Sequence, residues 1–189
     1  DVQGRTLGFG GRRMDEDPKS PKYINSPETD IYRKGRGFYG LFQAKEHIRK
    51  NGRALVVEGY FDQIALYEKG LMYAVATLGT ALTPDHARMA RRYAEDVFLV
   101  FDADEAGRRA AIRALESFLD AGVSPRIVVV PSGKDPDDYM SEHGKDEFEV
   151  LLDAAPPLLT YYIDDLLGSA EENPARLAKA VGEAAAMVS

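Results

Sequence analysis

The chain has 189 residues, 44% of them hydrophobic, no cysteine, three histidines and a formal net charge of −7. That length holds one good-sized core with room for a smaller companion lobe. The lack of cysteine excludes disulfides and thiolate metal sites, three scattered histidines cannot build a zinc site by themselves, and any metal must therefore be held by oxygen.

The charge is unevenly spread. The first fifty residues carry 11 Lys/Arg and 7 Asp/Glu, while the remaining 139 carry 13 and 24. A basic lobe thus precedes an acidic one, and the negative total does not exclude a phosphate-bearing partner for the first part. No apolar stretch of about 18 residues is present to span a bilayer. No secretory signal is visible either, so the chain reads as soluble.

In chain order, "DVQGRTLGFGG" looks like a turn already inside a hairpin, which leads us to expect a piece cut from a longer protein. "RTLGFGGR" is Gly-rich with short strand potential, "MDEDPKSPKYINSPETD" is a loop dense in Pro, Ser and charge, and "GLFQAKEHIRKNG" predicts a helix. From Ala54 the pattern changes to apolar runs, "ALVV", "YAVATL", "VFLVF" and "RIVVV", separated by three helical stretches. Continuous Val/Ile/Leu/Phe runs suit strands covered on both faces, and their alternation with helices predicts a layered α/β fold with a mostly parallel four-stranded sheet. Thr83 before Pro84, Asp135 before Pro136 and Asn173 before Pro174 read as helix N-caps, and Gly70 and Gly122 as helix stops. After Pro131 two or three amphipathic helices are expected and no further strand. The resulting division is 1–50, basic lobe; 51–140, α/β domain; 141–189, helical subdomain.

In open parallel sheets, functional groups collect beyond the carboxyl ends of the strands. Here "ALVV" runs into Glu58, "VFLVF" into Asp102 and Asp104, and "RIVVV" into the loop holding Asp135, Asp137 and Asp138. If these acids share one rim, their repulsion is roughly 4 kcal/mol per pair about 4 Å apart at an effective dielectric near 20. Protonation, Lys/Arg pairing or divalent cations would offset it, and hard carboxylate oxygens suit Mg²⁺ or Mn²⁺. Asp102 and Asp104, one residue apart at a strand end, face the same way and look like metal anchors. The structural alternatives stay open: Asp104 before "EAGRRAA" and Asp135 before Pro136 also fit helix N-caps. Glu58 is less easily explained that way, because Glu is depleted in strands and Gly59 beside it implies a tight backbone requirement.

Glu-Gly after one strand, D-x-D-x-x-G after another and a DPD loop after a third resemble the TOPRIM domain. The longer stretches "VVEGYFD", "AVATLGTALT", "FDADEAGRRAA", "KDPDDYM" and "GFGGR…PKYINSPETDIYRKGRGFYGL" are similar to the bacterial DnaG-type primase family over about residues 8 to 162. The resemblance implies a DNA-directed RNA polymerase that makes short primers from ribonucleoside triphosphates on single-stranded DNA, in the bacterial cytoplasm at the replication fork. It implies two or more Mg²⁺ or Mn²⁺ ions held by Glu58, Asp102, Asp104, Asp135 and Asp137, with Glu58, Asp102 and Asp104 as the catalytic set and Asp62 as an accessory. It leaves Glu58 as either metal ligand or general base. Arg12, Lys22, Lys34 and Arg36, with Asn25 in the "NSPET" loop, would hold template and nucleotide phosphates. The family's zinc module and its helicase-binding C-terminal domain have no counterpart in these residues, so no zinc site is expected here and a replicative helicase would be met elsewhere. The rival readings are a TOPRIM nuclease, a metal-dependent nucleic-acid-binding module, and a haloacid-dehalogenase-type phosphatase using Asp102 as nucleophile.

Overall fold

The computed structural model describes residues 1–12, 23–101, 105–131, 135–168 and 174–187. Asp102, Asp104 and Lys22, and the proposed cap Asn173, lie outside the described residues.

Six strands and seven α-helices are described. A short antiparallel hairpin, β1 (Gly10–Arg12) with β2 (Tyr23–Asn25), comes first. A single 3₁₀ turn, Lys34–Arg36, leads to α1 (Leu41–Asn51). The α/β unit follows: β3 (Arg53–Val57), α2 (Tyr60–Glu68), β4 (Ala74–Ala76), α3 (Pro84–Tyr93), β5 (Asp96–Phe101), α4 (Glu105–Asp120) and β6 (Arg126–Val129). Then come α5 (Pro136–Ala154), α6 (Leu158–Gly168) and α7 (Pro174–Met187). α5 leaves helical geometry at Gly144, whose φ of 80° suits glycine and kinks the helix.

The sheet has the order β4-β3-β5-β6, with all neighbours parallel. The apolar runs become its strands because both faces are covered: Leu55, Ala74 and Leu99 are wholly buried, and Val56, Val57, Val100, Ile127 and Val128 are nearly so. From β3 the chain steps outward to β4 and then back over β3 to β5. Parallel crossovers are right-handed, so this reversal sends the helices to opposite faces. α2 packs with α5 on one side; α1, α3, α4 and α6 pack in succession on the other. The small residues of α4 face the sheet, with Gly107, Ala111 and Ala114 buried. Helix ends follow local chemistry: Thr83 caps α3 and Asp135 caps α5, each with proline in the first turn, while Gly70 and Gly122 take positive φ where α2 and α4 stop.

Candidate active site at the carboxyl edge of the sheet

The reversal of chain direction between β3 and β5 creates a topological switch point, the place where such sheets leave a crevice. Register puts the strand ends level, since Val56 pairs with Leu99 and Phe101 with Val129. Glu58 is the first residue beyond β3, exposed at this edge, and its carbonyl accepts a hydrogen bond from Thr77 Oγ1 at 2.9 Å. Two cavities flank the crevice and share Val57, Glu58, Gly79 and Val100. The first, about 270 Å³, is lined also by Asn25, Tyr60, Asp62 and Pro136. The second, about 230 Å³, lies toward α4 and includes Thr80, Leu82 and Arg113.

The geometry gives the Glu-Gly pair a reason. Gly59 has an ordinary extended backbone, but a Cβ there would lie 2.6 Å from Asp62 Oδ2. The glycine makes room for the Asp62 carboxylate beside Glu58. Gly10 does the same for Asn25, whose Oδ1 would lie 2.9 Å from a Cβ at that position. Asn25 Nδ2 donates to the carbonyl of Leu78 at 3.1 Å, next to Gly79, whose φ is +71°. The hairpin is thereby fastened over the loop after β4.

The sequence-predicted residues fall into three groups. Glu58, Asp62 and Asn25 line one cavity, which Pro136, the residue after Asp135, also lines. Asp135 also caps α5, its Oδ1 accepting from the Asp138 amide at 2.8 Å. Asp137 is in the first turn of α5 and is ion-paired to Lys69 of α2; the same ammonium donates to Ser141 Oγ at 2.6 Å. Arg12 is exposed on the hairpin, its guanidinium 5.8 Å from the Tyr23 ring centre and 5.9 Å from that of Phe61. Lys34 and Arg36 lie in the 3₁₀ turn, and Arg36 Nε bonds Asp85 Oδ2 at 3.1 Å. Asp85 also accepts from Arg88, which with Arg36 holds its carboxyl below the ordinary range. Asp102, Asp104 and Lys22 are outside the described residues, whose flanks are Phe101 and Glu105 for the first two.

Three contributions to this region were not among the expected site residues. Tyr60 lines the first cavity; its hydroxyl is buried with no hydrogen-bond partner among the described residues, and burial raises its pKa. Lys69 fixes the start of α5. His86, fully buried in α3, ties the 3₁₀ turn down. The proline-aspartate-histidine stretch after Thr83 held a signal for the last: histidine sits at the N3 position where a capping box ordinarily has Glu or Gln.

Among the described residues no group of three or more His, Asp or Glu converges to hold a metal. The donor chemistry nevertheless fits a hard cation: the wall of the first cavity offers the carboxylates of Glu58 and Asp62 and the amide oxygen of Asn25, with no thiolate or imidazole. Mg²⁺ ordinarily takes only one or two carboxylates and keeps waters and substrate phosphates.

Fold and edge together define a TOPRIM-type α/β domain preceded by a basic segment. A Toprim-like family model matches residues 55–140, and a model described as the N-terminal domain of the DNA primase catalytic core matches residues 1–45. The chain is 43% identical over 173 residues to a DNA primase of Aquifex aeolicus, covering 92% of this chain and 34% of that protein. It superimposes on a DNA primase domain from Pseudomonas aeruginosa with a TM-score of 0.89 and 40% identity, over 99% of this chain and 59% of that one. Against a DnaG primase catalytic domain bound to single-stranded DNA the TM-score is 0.87 and the identity 41%, over 100% of this chain and 61% of the other. The chain belongs to the bacterial DnaG-type primase family and corresponds to part of its TOPRIM-containing RNA polymerase domain. It spans about a third of the length of the curated relatives it matches.

Proposed function

We propose that this chain forms the nucleotidyl-transfer centre of a DNA primase, joining ribonucleoside triphosphates into short RNA primers on single-stranded DNA. The observation that carries this reading is the single cavity shared by Glu58 and Asp62 from the acidic sheet edge and Asn25 from the basic hairpin. Primer synthesis brings polyanions to a nucleophile, and a site for it must combine cation-holding acids with phosphate-holding bases. Residues 1–50 act in this reading as the basic lobe, 51–140 as the TOPRIM unit and 141–189 as a helical subdomain, with α1 docked on the sheet.

Glu58, Asp102, Asp104 and Asp135 are the residues assigned to hold Mg²⁺ or Mn²⁺, with Asp62 beside Glu58. Asp137 has a smaller part at the edge, because its carboxylate is already engaged by Lys69. When bound, such cations lower the pKa of an attacking hydroxyl and neutralise the departing pyrophosphate. The chain's own groups orient the substrates: Arg12, Lys22 and Lys34 attract template or nucleotide phosphates, Asn25 fixes the hairpin over the cavity, and Arg36 is shared with Asp85. The work belongs to the replication fork in the bacterial cytoplasm, with a replicative helicase recruited by other parts of the protein. The nuclease and phosphatase readings find no support in the relatives, which are DNA primases.

The test is primer synthesis by the full chain on single-stranded DNA with ribonucleoside triphosphates. Asp102→Ala and Asp104→Ala should each lower the rate on the order of 100-fold or more, with an unchanged unfolding transition. Undiminished synthesis in either variant overturns the assignment.

A further inference from the structure

The first turn of α3 touches the basic 3₁₀ turn at three successive residues. Thr83 Oγ1 donates to the Gly35 carbonyl at 2.6 Å, Asp85 Oδ2 accepts from Arg36 Nε at 3.1 Å, and His86 Nε2 meets the Gly37 carbonyl at 3.1 Å. The imidazole is completely buried against Phe38, with ring centres 4.8 Å apart. Its other nitrogen, Nδ1, lies 3.2 Å from the Thr83 amide. An amide N–H can only donate and a carbonyl can only accept, so Nδ1 is bare and Nε2 carries the hydrogen. Thr83 Oγ1 also lies 3.1 Å from Nδ1 with its own hydrogen given to Gly35, so it is the Gly37 carbonyl, which needs an Nε2–H, together with the amide at Nδ1 that selects the neutral Nε2–H tautomer. Burial agrees, since it pushes the imidazole pKa below 6.5 against the smaller opposing effects of the Gly37 and Lys34 carbonyls and of the Asp85 carboxylate.

Few other bonds hold this turn. It has no side-chain cap of its own, and among the described residues its side-chain tether outside α3 is the Lys34 amide donating to Glu28 Oε1 at 2.8 Å. The Lys34 ammonium has no ion pair among the described residues, whereas Arg36 shares Asp85 with Arg88. Among the described residues, the cation of the turn without an ion pair is therefore Lys34, on a backbone held at Gly35 and Gly37.

We propose that His86 is a positioning residue: as the neutral Nε2–H imidazole it holds the Gly37 carbonyl and so fixes the backbone that presents Lys34 to a substrate phosphate. This rests on the proposed function only in taking Lys34 as a phosphate ligand. The phosphate belongs either to the template backbone or to the incoming nucleotide. His86 touches neither.

Two substitutions separate the two ends of the ring. His86→Gln keeps a donor near the Nε2 position and gives up the Nδ1 acceptor; His86→Asn keeps an acceptor near Nδ1 and gives up the donor. In the full chain we expect His86→Asn to weaken binding roughly five- to tenfold, about what a net hydrogen bond is worth, and His86→Gln to recover most of it, at similar thermal midpoints. Affinity for a fluorescent single-stranded oligonucleotide reads the template arm, and the KM for ribonucleoside triphosphate at constant kcat reads the nucleotide arm. Lys34→Ala should show the same loss in the same arm. Equal behaviour of the Asn and Gln variants, or losses that follow thermal stability alone, overturns the role of His86. If Lys34→Ala changes neither arm, the phosphate reading of the turn falls, and the inference with it. A measurement without mutation stands beside these: with only three histidines in the chain, ¹⁵N imidazole shifts should show His86 protonated at Nε2 alone. A proton on Nδ1 contradicts the proposal.

Discussion

Glu58 stands at the end of a strand that is buried from Ala54 to Val57 and paired on both sides, whereas Asn25, across the same cavity, ends a three-residue strand whose other residues are exposed. The acidic side is placed by the backbone ladder and the core beneath it. The basic side is placed by a handful of side-chain contacts: Asn25 bonded to Leu78, and Tyr23 packed on Tyr60 and Phe61. A ladder is cooperative, and single side-chain tethers are not. The acidic edge should therefore fail only with the whole fold, while the basic side should fail locally.

The comparison is broken most severely in the middle of the sheet. Leu99 is fully buried in β5, and Leu99→Ala should cost about 2–5 kcal/mol in urea unfolding. A loss well under 1 kcal/mol there would mean that the sheet is not what holds the edge. Asn25→Ala should do the opposite, shifting global stability by no more than about 1 kcal/mol while weakening nucleotide or oligonucleotide binding severalfold. If stability fell as far as in Leu99→Ala, the hairpin would have to be counted part of the core.

Smaller effects sharpen the same contrast. Lys69→Ala releases Asp137 and Ser141 from α2. The pair is partly exposed, so we expect a change of about 1 kcal/mol or less, read as faster hydrogen exchange at the amides of Asp138 and Tyr139, which now bond to Asp135. Exchange unchanged from the parent would show that the Asp135 cap suffices. The smallest effect is a pH term from His86. Burial lowers its folded-state pKa below the ordinary 6.5, so as pH falls through 6.5 the unfolded chain takes up the proton first. Stability from this group is complete above pH 6.5 and is lost as pH falls toward the folded pKa. The urea midpoint should drop more for the parent than for His86→Gln between pH 7.5 and 5.5; parallel drops would deny the buried neutral ring.

The same division explains what the sequence revealed. The four strands were legible because burial on both faces demands continuous apolar runs, and the caps at Thr83 and Asp135 because proline at the first helical turn leaves few other readings. Glu58 was legible as an acid where strands seldom carry one. The strand order was not, since patterning alone does not place β3 between β4 and β5, and it is this order that opens the crevice beside Glu58. Ion pairs such as Lys69 with Asp137 join residues 68 apart and leave no periodic trace. The resemblance implied a phosphate contact for Arg36, and no pattern in the sequence announced that the fold also sets Asp85 beside it. His86 drew no reading of its own because its farther partner, the Gly37 carbonyl, is a backbone atom 49 residues away that no side-chain pattern encodes.

The central claim is that the acids at the carboxyl edge hold divalent cations for a reaction between polyanions. Calorimetric titration of Mn²⁺ into the full chain, compared with Glu58→Gln, tests it most directly. The account predicts saturable binding in the parent and at least roughly tenfold weaker binding in the variant, in line with the loss of a charged ligand, with identical unfolding curves. Equal Mn²⁺ affinity in the two proteins would contradict it.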